Sequence, residues 1–139
     1  MNVKMPNRMQ AIRLLIEVNF YFAVVALMFA SICSVTDASF FEFNEALYGA
    51  LDNNLRMMMV NLGITEAVVL GYCWFSKSFR YMVLVGFFLL LMIGSLEFYG
   101  EVNTVAIDAN FSLFFMYTGL SHMLFGLLKT GEKKPVAQD

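Results

Sequence analysis

Charge is what this chain has least of. Only 14% of its 139 residues are Asp, Glu, Lys or Arg, while 60% are hydrophobic; a soluble domain carries about 25% charged and about 45–50% apolar residues. A water-soluble fold of this length has no means of hiding so much apolar surface, whereas lipid solvates it. The chain also has one His and two Cys. One His is too few for a metal site of ordinary type, and without a CxxC pair thiol redox chemistry has no support. No basic run or aromatic-basic motif points to nucleic acid. No nucleophile stands beside a base, which argues against an enzyme. Segments of about 10 alternating residues, the mark of a membrane barrel, are missing too.

What remains is four long apolar runs, at about 14–35, 55–75, 81–99 and 105–128. Each is near the roughly 20 residues that carry a helix across about 30 Å of hydrocarbon. The first run follows a basic stretch (Lys4, Arg8, Arg13) but exceeds the roughly 7–15 apolar residues of a secretory signal. It is read as an uncleaved first span. The fold class expected is all-α: a polytopic membrane four-helix bundle forming one integral membrane domain over residues 1–139.

Orientation follows from the segregation of charge. Eight of the nine Lys and Arg lie before run one, between runs two and three, or after run four, and seven of the eleven acids lie on the opposite side. The positive-inside rule then places both termini in the cytoplasm. In the first outer loop, Ser39 and Glu42 have the spacing of a capping box. Phe40, Phe43, Leu47 and Leu51 follow at helical spacing. They predict a short amphipathic helix, either lying at the membrane surface or capping the bundle as a lid. The tail 130–139, with Gly131 and Pro135, is expected to be flexible.

Ionisable residues within spans cost at least about 2.5–3.5 kcal/mol each on insertion scales and need a reason. Glu66 is the deepest, roughly ten residues and about 15 Å from either end of its span. It shares a helix face with Arg56, Met59, Gly63, Ala67 and Leu70. His122, in the fourth span, shares a face with Ser112, Phe115, Gly119 and Gly126. The two depths differ by about 5 Å, which puts a Glu66–His122 hydrogen bond within side-chain reach. Two readings fit: a proton or cation relay or ligand-binding pair, or a structural link worth about 0.6–2 kcal/mol. Arg56, at the outer start of span two, has Asp52, Glu97 and Glu101 at its level. It pairs with one of these acids or meets an anion or lipid headgroup. Arg13 and Glu17 have the i,i+4 spacing of a helix ion pair. Asn19 and Asn61 are positioned for interhelical hydrogen bonds.

Cys33 and Cys73 are placed at opposite membrane faces, too far apart for the roughly 7 Å that a disulfide allows between Cα atoms. They read as small apolar fillers. The consecutive Met57, Met58 and Met59 point in three directions around a helix and cannot converge on one ion. Tyr48, Tyr72, Trp74, Tyr81 and Tyr99 fall near the span ends, as an aromatic belt requires.

Leu55-Arg56 through Gly63, then Gly71, the basic turn Lys77–Arg80, and a last span closing on Gly126-Leu127-Leu128-Lys129 form a pattern over residues 50–129. This pattern resembles small four-helix bacterial membrane proteins of the DoxX-like sort, in which an Arg opens span two and a Gly follows. The resemblance implies a bacterial inner-membrane bundle. Some DoxX-like relatives are linked to quinone-dependent sulfur oxidation.

Three functions are compatible with these features. One is an accessory or assembly subunit, motivated by small size and by Gly on spans two to four, with Gly86, Gly94 and Glu97 as a contact stripe on span three. The second is an oligomeric transporter or channel passing protons or cations through Glu66 and His122. The third is a quinone-linked membrane enzyme component. The expected partners are the lipid bilayer and either further copies of the chain or other membrane subunits. The residues assign no cofactor.

Overall fold

The computed structural model describes residues 8–35, 45–104, 107 and 109–131, with side chains described outside 45–56. It is all-helical: α1 (Arg8–Val35), α2 (Glu45–Ser76), α3 (Met82–Asn103) and α4 (Ala109–Gly131), with one 3₁₀ turn at Phe79–Tyr81. Among the described residues there are no strands. Four segments are long and apolar enough to cross a membrane: Arg8–Val35, Met57–Ser76, Phe79–Asn103 and Ala109–Gly131. Large apolar side chains stand on the outside, among them Phe75 (88% exposed), Trp74 and Phe88. That surface is one for lipid, and the chain is an integral membrane protein.

The segment between spans one and two departs from expectation where it is described. Instead of a separate short helix, residues from Glu45 onward are continuous with α2. No Pro interrupts 45–56, and Gly49 alone costs about 1 kcal/mol, which neighbouring turns outweigh. The Ser39–Glu42 box and Phe40 and Phe43 lie outside the described residues, as does the tail beyond Gly131.

The helices close on one another along three seams: α1 with α2, α1 with α4, and α3 with α4. The remaining neighbours, α2 and α3, make no comparable backbone approach among the described residues. They are tied through the turn after α2. There Lys77 takes a left-handed conformation (φ 51°), and its successor Ser78 donates its N–H to the Cys73 carbonyl at 3.1 Å. This is the usual way of stopping a helix, with Lys standing where Gly is commonest.

Small residues set the seams. A side-chain carbon on Gly86 would sit 2.4 Å from the Gly119 carbonyl oxygen, and one on Gly126 would sit 2.6 Å from the Val83 amide. Helices α3 and α4 therefore run backbone to backbone. On the α1/α2 seam Gly63 abuts Ser31, whose hydroxyl reaches the carbonyls of Leu27 (2.9 Å) and Met59 (2.8 Å). These glycines are used inside the chain and are not free to receive a partner. Gly71 and Gly94 have open space around them, so the stripe read on span three divides, with Gly86 turned inward.

Between α1 and α4, the Tyr117 hydroxyl donates to Asn19 Oδ1 at 2.8 Å. Replacing Tyr117 with Phe is expected to lower stability by about 0.6–1.7 kcal/mol, the range for interhelical hydrogen bonds in membranes, measured by equilibrium unfolding in mixed micelles. An unchanged midpoint would show that Asn19 finds another partner.

Candidate functional site

The buried stripe of α2 runs through Met59, Gly63, Glu66 and Cys73, and that of α4 through Phe115, Thr118, Gly119, His122, Phe125 and Gly126. Both have the 3–4-residue spacing of one helix face. Two apolar clusters fill the interior. One gathers Leu27, Ala30, Met59, Leu89, Ile93, Phe111 and Phe115. The other gathers Phe20, Cys73, Met82 and Phe125. Glu66 comes between Met59 and Cys73 along α2, and His122 between Phe115 and Phe125 along α4. The only ionisable pair of the interior among the described residues thus stands between two greasy layers.

Glu66 and His122 meet across the bundle. His122 Nε2 lies 3.0 Å from Glu66 Oε1, with the side chains 0% and 1% exposed. The other ring nitrogen, Nδ1, lies 2.6 Å from the Thr118 carbonyl oxygen. A carbonyl only accepts, so Nδ1 carries a hydrogen and donates it. That leaves two arrangements for Nε2. Either it too carries a hydrogen and donates to a carboxylate, or it is bare and accepts from a carboxylic acid. Each puts one proton in the contact and leaves the pair without net charge, the low-cost state for a buried pair in apolar surroundings. Phe20 stands edge-on to the imidazole at 5.1 Å between centroids and is stacked on Phe125 at 3.8 Å. These rings fix the imidazole in place.

The second carboxyl oxygen, Glu66 Oε2, is buried and has no hydrogen-bond partner. Leaving such an atom unpaired costs about 1–3 kcal/mol. Glu66 also lines a crevice of about 230 Å³ between α2 and α3, walled chiefly by Leu27, Leu62, Leu84, Val85 and Phe88. A second groove of about 800 Å³ continues along the same two helices and shares Leu62 and Phe88 with the first. Asn61 is exposed in that groove.

Glu17 pairs with Lys129 of α4, Nζ to Oε1 2.5 Å, with both side chains partly exposed. This partner lies 112 residues away and was not anticipated by the Arg13–Glu17 spacing. Opposite charges at matched depth on spans one and four were the available signal, though nothing in the sequence says that those spans adjoin. Arg13 lies on an exposed part of α1. Glu97, exposed on α3, accepts a hydrogen bond from the Ser112 hydroxyl of α4. The side chain of Arg56 lies outside the described residues, and its pairing with Glu97 or an acid nearby with it. Cys33 and Cys73 are both buried and are not joined in a disulfide. No group of three or more His, Cys, Asp or Glu suited to a metal occurs among the described residues.

At the basic end, Arg80 donates to the Tyr81 hydroxyl at 3.0 Å and lies 5.0 Å from the centre of its ring. Tyr72 meets Tyr81 edge-on at 5.4 Å. This exposed aromatic and cationic cluster has the composition of a membrane–water boundary.

No family model, no curated protein and no solved structure matches this chain.

Proposed function

We propose that this protein is a bacterial inner-membrane accessory component, both termini cytoplasmic, that binds a ligand through the Glu66–His122 pair. Catalysis is not part of this reading. The proposal rests on one observation: Glu66 Oε2 is buried in an apolar interior without a partner. A link that only held helices together would need Oε1 and the imidazole, and a polar residue without a second oxygen to strand would serve as well. An acceptor kept at this cost in a lipid interior marks a place where something else binds. The clustering of Lys77, Arg80 and Lys129 at one end supports the orientation, and the DoxX-like kinship belongs to the same proposal. Gly63, Gly86, Gly119 and Gly126 are taken up by contacts within the chain, which weakens the case for a purely assembly role and leaves it only Gly71 and Gly94 of the glycines it was read from.

The test is native mass spectrometry of tagged protein extracted from its own host in mild detergent. The bundle is expected to carry a noncovalent small molecule that is missing from Glu66→Met. Bare wild-type protein, with neither small molecule nor foreign subunit, overturns the reading. The proton held between Glu66 and His122 favours a second reading, conduction by an oligomer. In that case proton flux into proteoliposomes falls at least tenfold in Glu66→Gln and His122→Ala; equal flux in all three proteins removes it.

A further inference from the structure

Resting on the reading of Glu66–His122 as a binding centre, we infer that the crevice between α2 and α3 admits a lipid-dissolved molecule with an uncharged hydroxyl, which donates its hydrogen bond to Glu66 Oε2. Three features define this ligand.

The first is the path. The crevice and the groove that continues it lie between the two helices that lack a close seam. Their outer walls carry Leu84 and Phe88, which are 60% and 72% exposed. In a membrane these side chains face acyl chains, so a molecule dissolved in lipid reaches the crevice sideways without crossing a headgroup layer.

The second is the body of the ligand. Of the residues lining the crevice, Thr65 and Glu66 are the polar ones, and the rest are aliphatic or aromatic. Such a wall rejects a charged headgroup, which at this depth costs several kcal/mol. It suits a hydrocarbon chain or ring, with the longer groove to take a tail.

The third is the head. Oε2 is an acceptor in both proton arrangements of the pair, being a carboxylate oxygen in one and an acid carbonyl in the other. The ligand must therefore donate. Because the pair is neutral as a whole, an ammonium head would bring an uncompensated charge into hydrocarbon, whereas a hydroxyl adds none. A hydroxyl bonded to Oε2 also removes the cost of the stranded acceptor, so the site selects for the donor itself.

The experiment uses the full chain in lipid nanodiscs and a photoactivatable diazirine derivative of hexadecanol, compared with its methyl ether and with the matching primary amine. Attachment sites are mapped by mass spectrometry. The alcohol is expected to label Leu62, Leu84 or Phe88 saturably, with competition by unlabelled hexadecanol, while the ether labels at least tenfold less. Glu66→Gln keeps the alcohol labelling, because the amide N–H faces His122 and the amide oxygen takes the place of Oε2. Glu66→Met reduces it to the ether level. Leu84→Trp fills the crevice from its exposed edge, leaves the pair intact and blocks labelling in a protein whose folding does not depend on Glu66. Equal labelling by alcohol and ether, or saturable labelling away from α2 and α3, overturns the crevice site even where native extraction yields a bound ligand. Saturable amine labelling that disappears in Glu66→Gln overturns the hydroxyl assignment and leaves the binding centre standing. Saturable alcohol labelling in a protein that extracts bare in native mass spectrometry supports the crevice and counts against the functional reading alone.

Discussion

Replacing His122 with Ala is expected to destabilise the folded bundle by about 2–4 kcal/mol in equilibrium unfolding in mixed micelles. The loss has two sources. Glu66 is left with both carboxyl oxygens unpaired in a site where it is 1% exposed, at about 1–3 kcal/mol. The imidazole also leaves a void beside Phe20, worth about 1 kcal/mol more. Glu66→Gln is milder, within about 1 kcal/mol of wild type, because an amide N–H can donate to Nε2. The informative variant is the double one, Glu66→Met with His122→Phe. It removes both polar groups at similar volume, and apolar replacement of a whole buried pair is often neutral or stabilising. It should therefore lie within about 1 kcal/mol of wild type. If the double variant is instead as unstable as His122→Ala, the bundle is held together by the hydrogen bond and the pair is structural.

The second large effect belongs to the seam between α3 and α4. A methyl group at position 86 meets the Gly119 carbonyl at 2.4 Å and the Met123 amide at 2.7 Å. These are backbone atoms and cannot rotate away, so Gly86→Ala must push two helices apart along their most extensive contact. Overpacking of cores costs about 1–3 kcal/mol where side chains can give; here about 3 kcal/mol or more is expected. Gly119→Ala should cost less, since its methyl meets the Leu90 side chain at 2.8 Å, and that side chain has other rotamers. Gly94→Ala and Gly71→Ala, in open space, should be neutral or stabilising by up to about 1 kcal/mol through helix propensity. A Gly86→Ala protein with an unshifted unfolding midpoint would refute the backbone contact.

The contrast among these glycines shows what the sequence could and could not disclose. Hydropathy and length report position along the membrane normal. They are why four spans were legible, why Glu66 and His122 were matched in depth, and why the aromatic residues were placed near span ends. They report little about lateral position. A helix that faces lipid on one side and protein on the other is apolar on both, so the inward face has no contrasting polar face to reveal it. For that reason Gly63, Gly86, Gly119 and Gly126 looked like faces awaiting a partner when the chain itself occupies them. Lys129 was hidden from Glu17 for the same reason. Spacing within one helix suggested Arg13, and only the adjacency of α1 and α4 brings in Lys129. The partnerless Oε2 had no signal at all, because a hydrogen bond left unmade is a property of packing. Between spans one and two, helical periodicity was legible, but not its continuity with α2.

The turn at Lys77 and Ser78 joins α2 to α3 at one end, and among the described residues no close seam fastens the two helices beyond it. Geometrically this is a pair of tongs with its pivot at the basic end. If the arms are stiff, any parting between them grows in proportion to distance from the pivot. Glu66 stands ten residues from the end of α2, about 15 Å along the arm, and Met57 nearly twice as far. The grip on His122 therefore lies about halfway between the pivot and Met57, where a parting at Met57 is felt at about half its size.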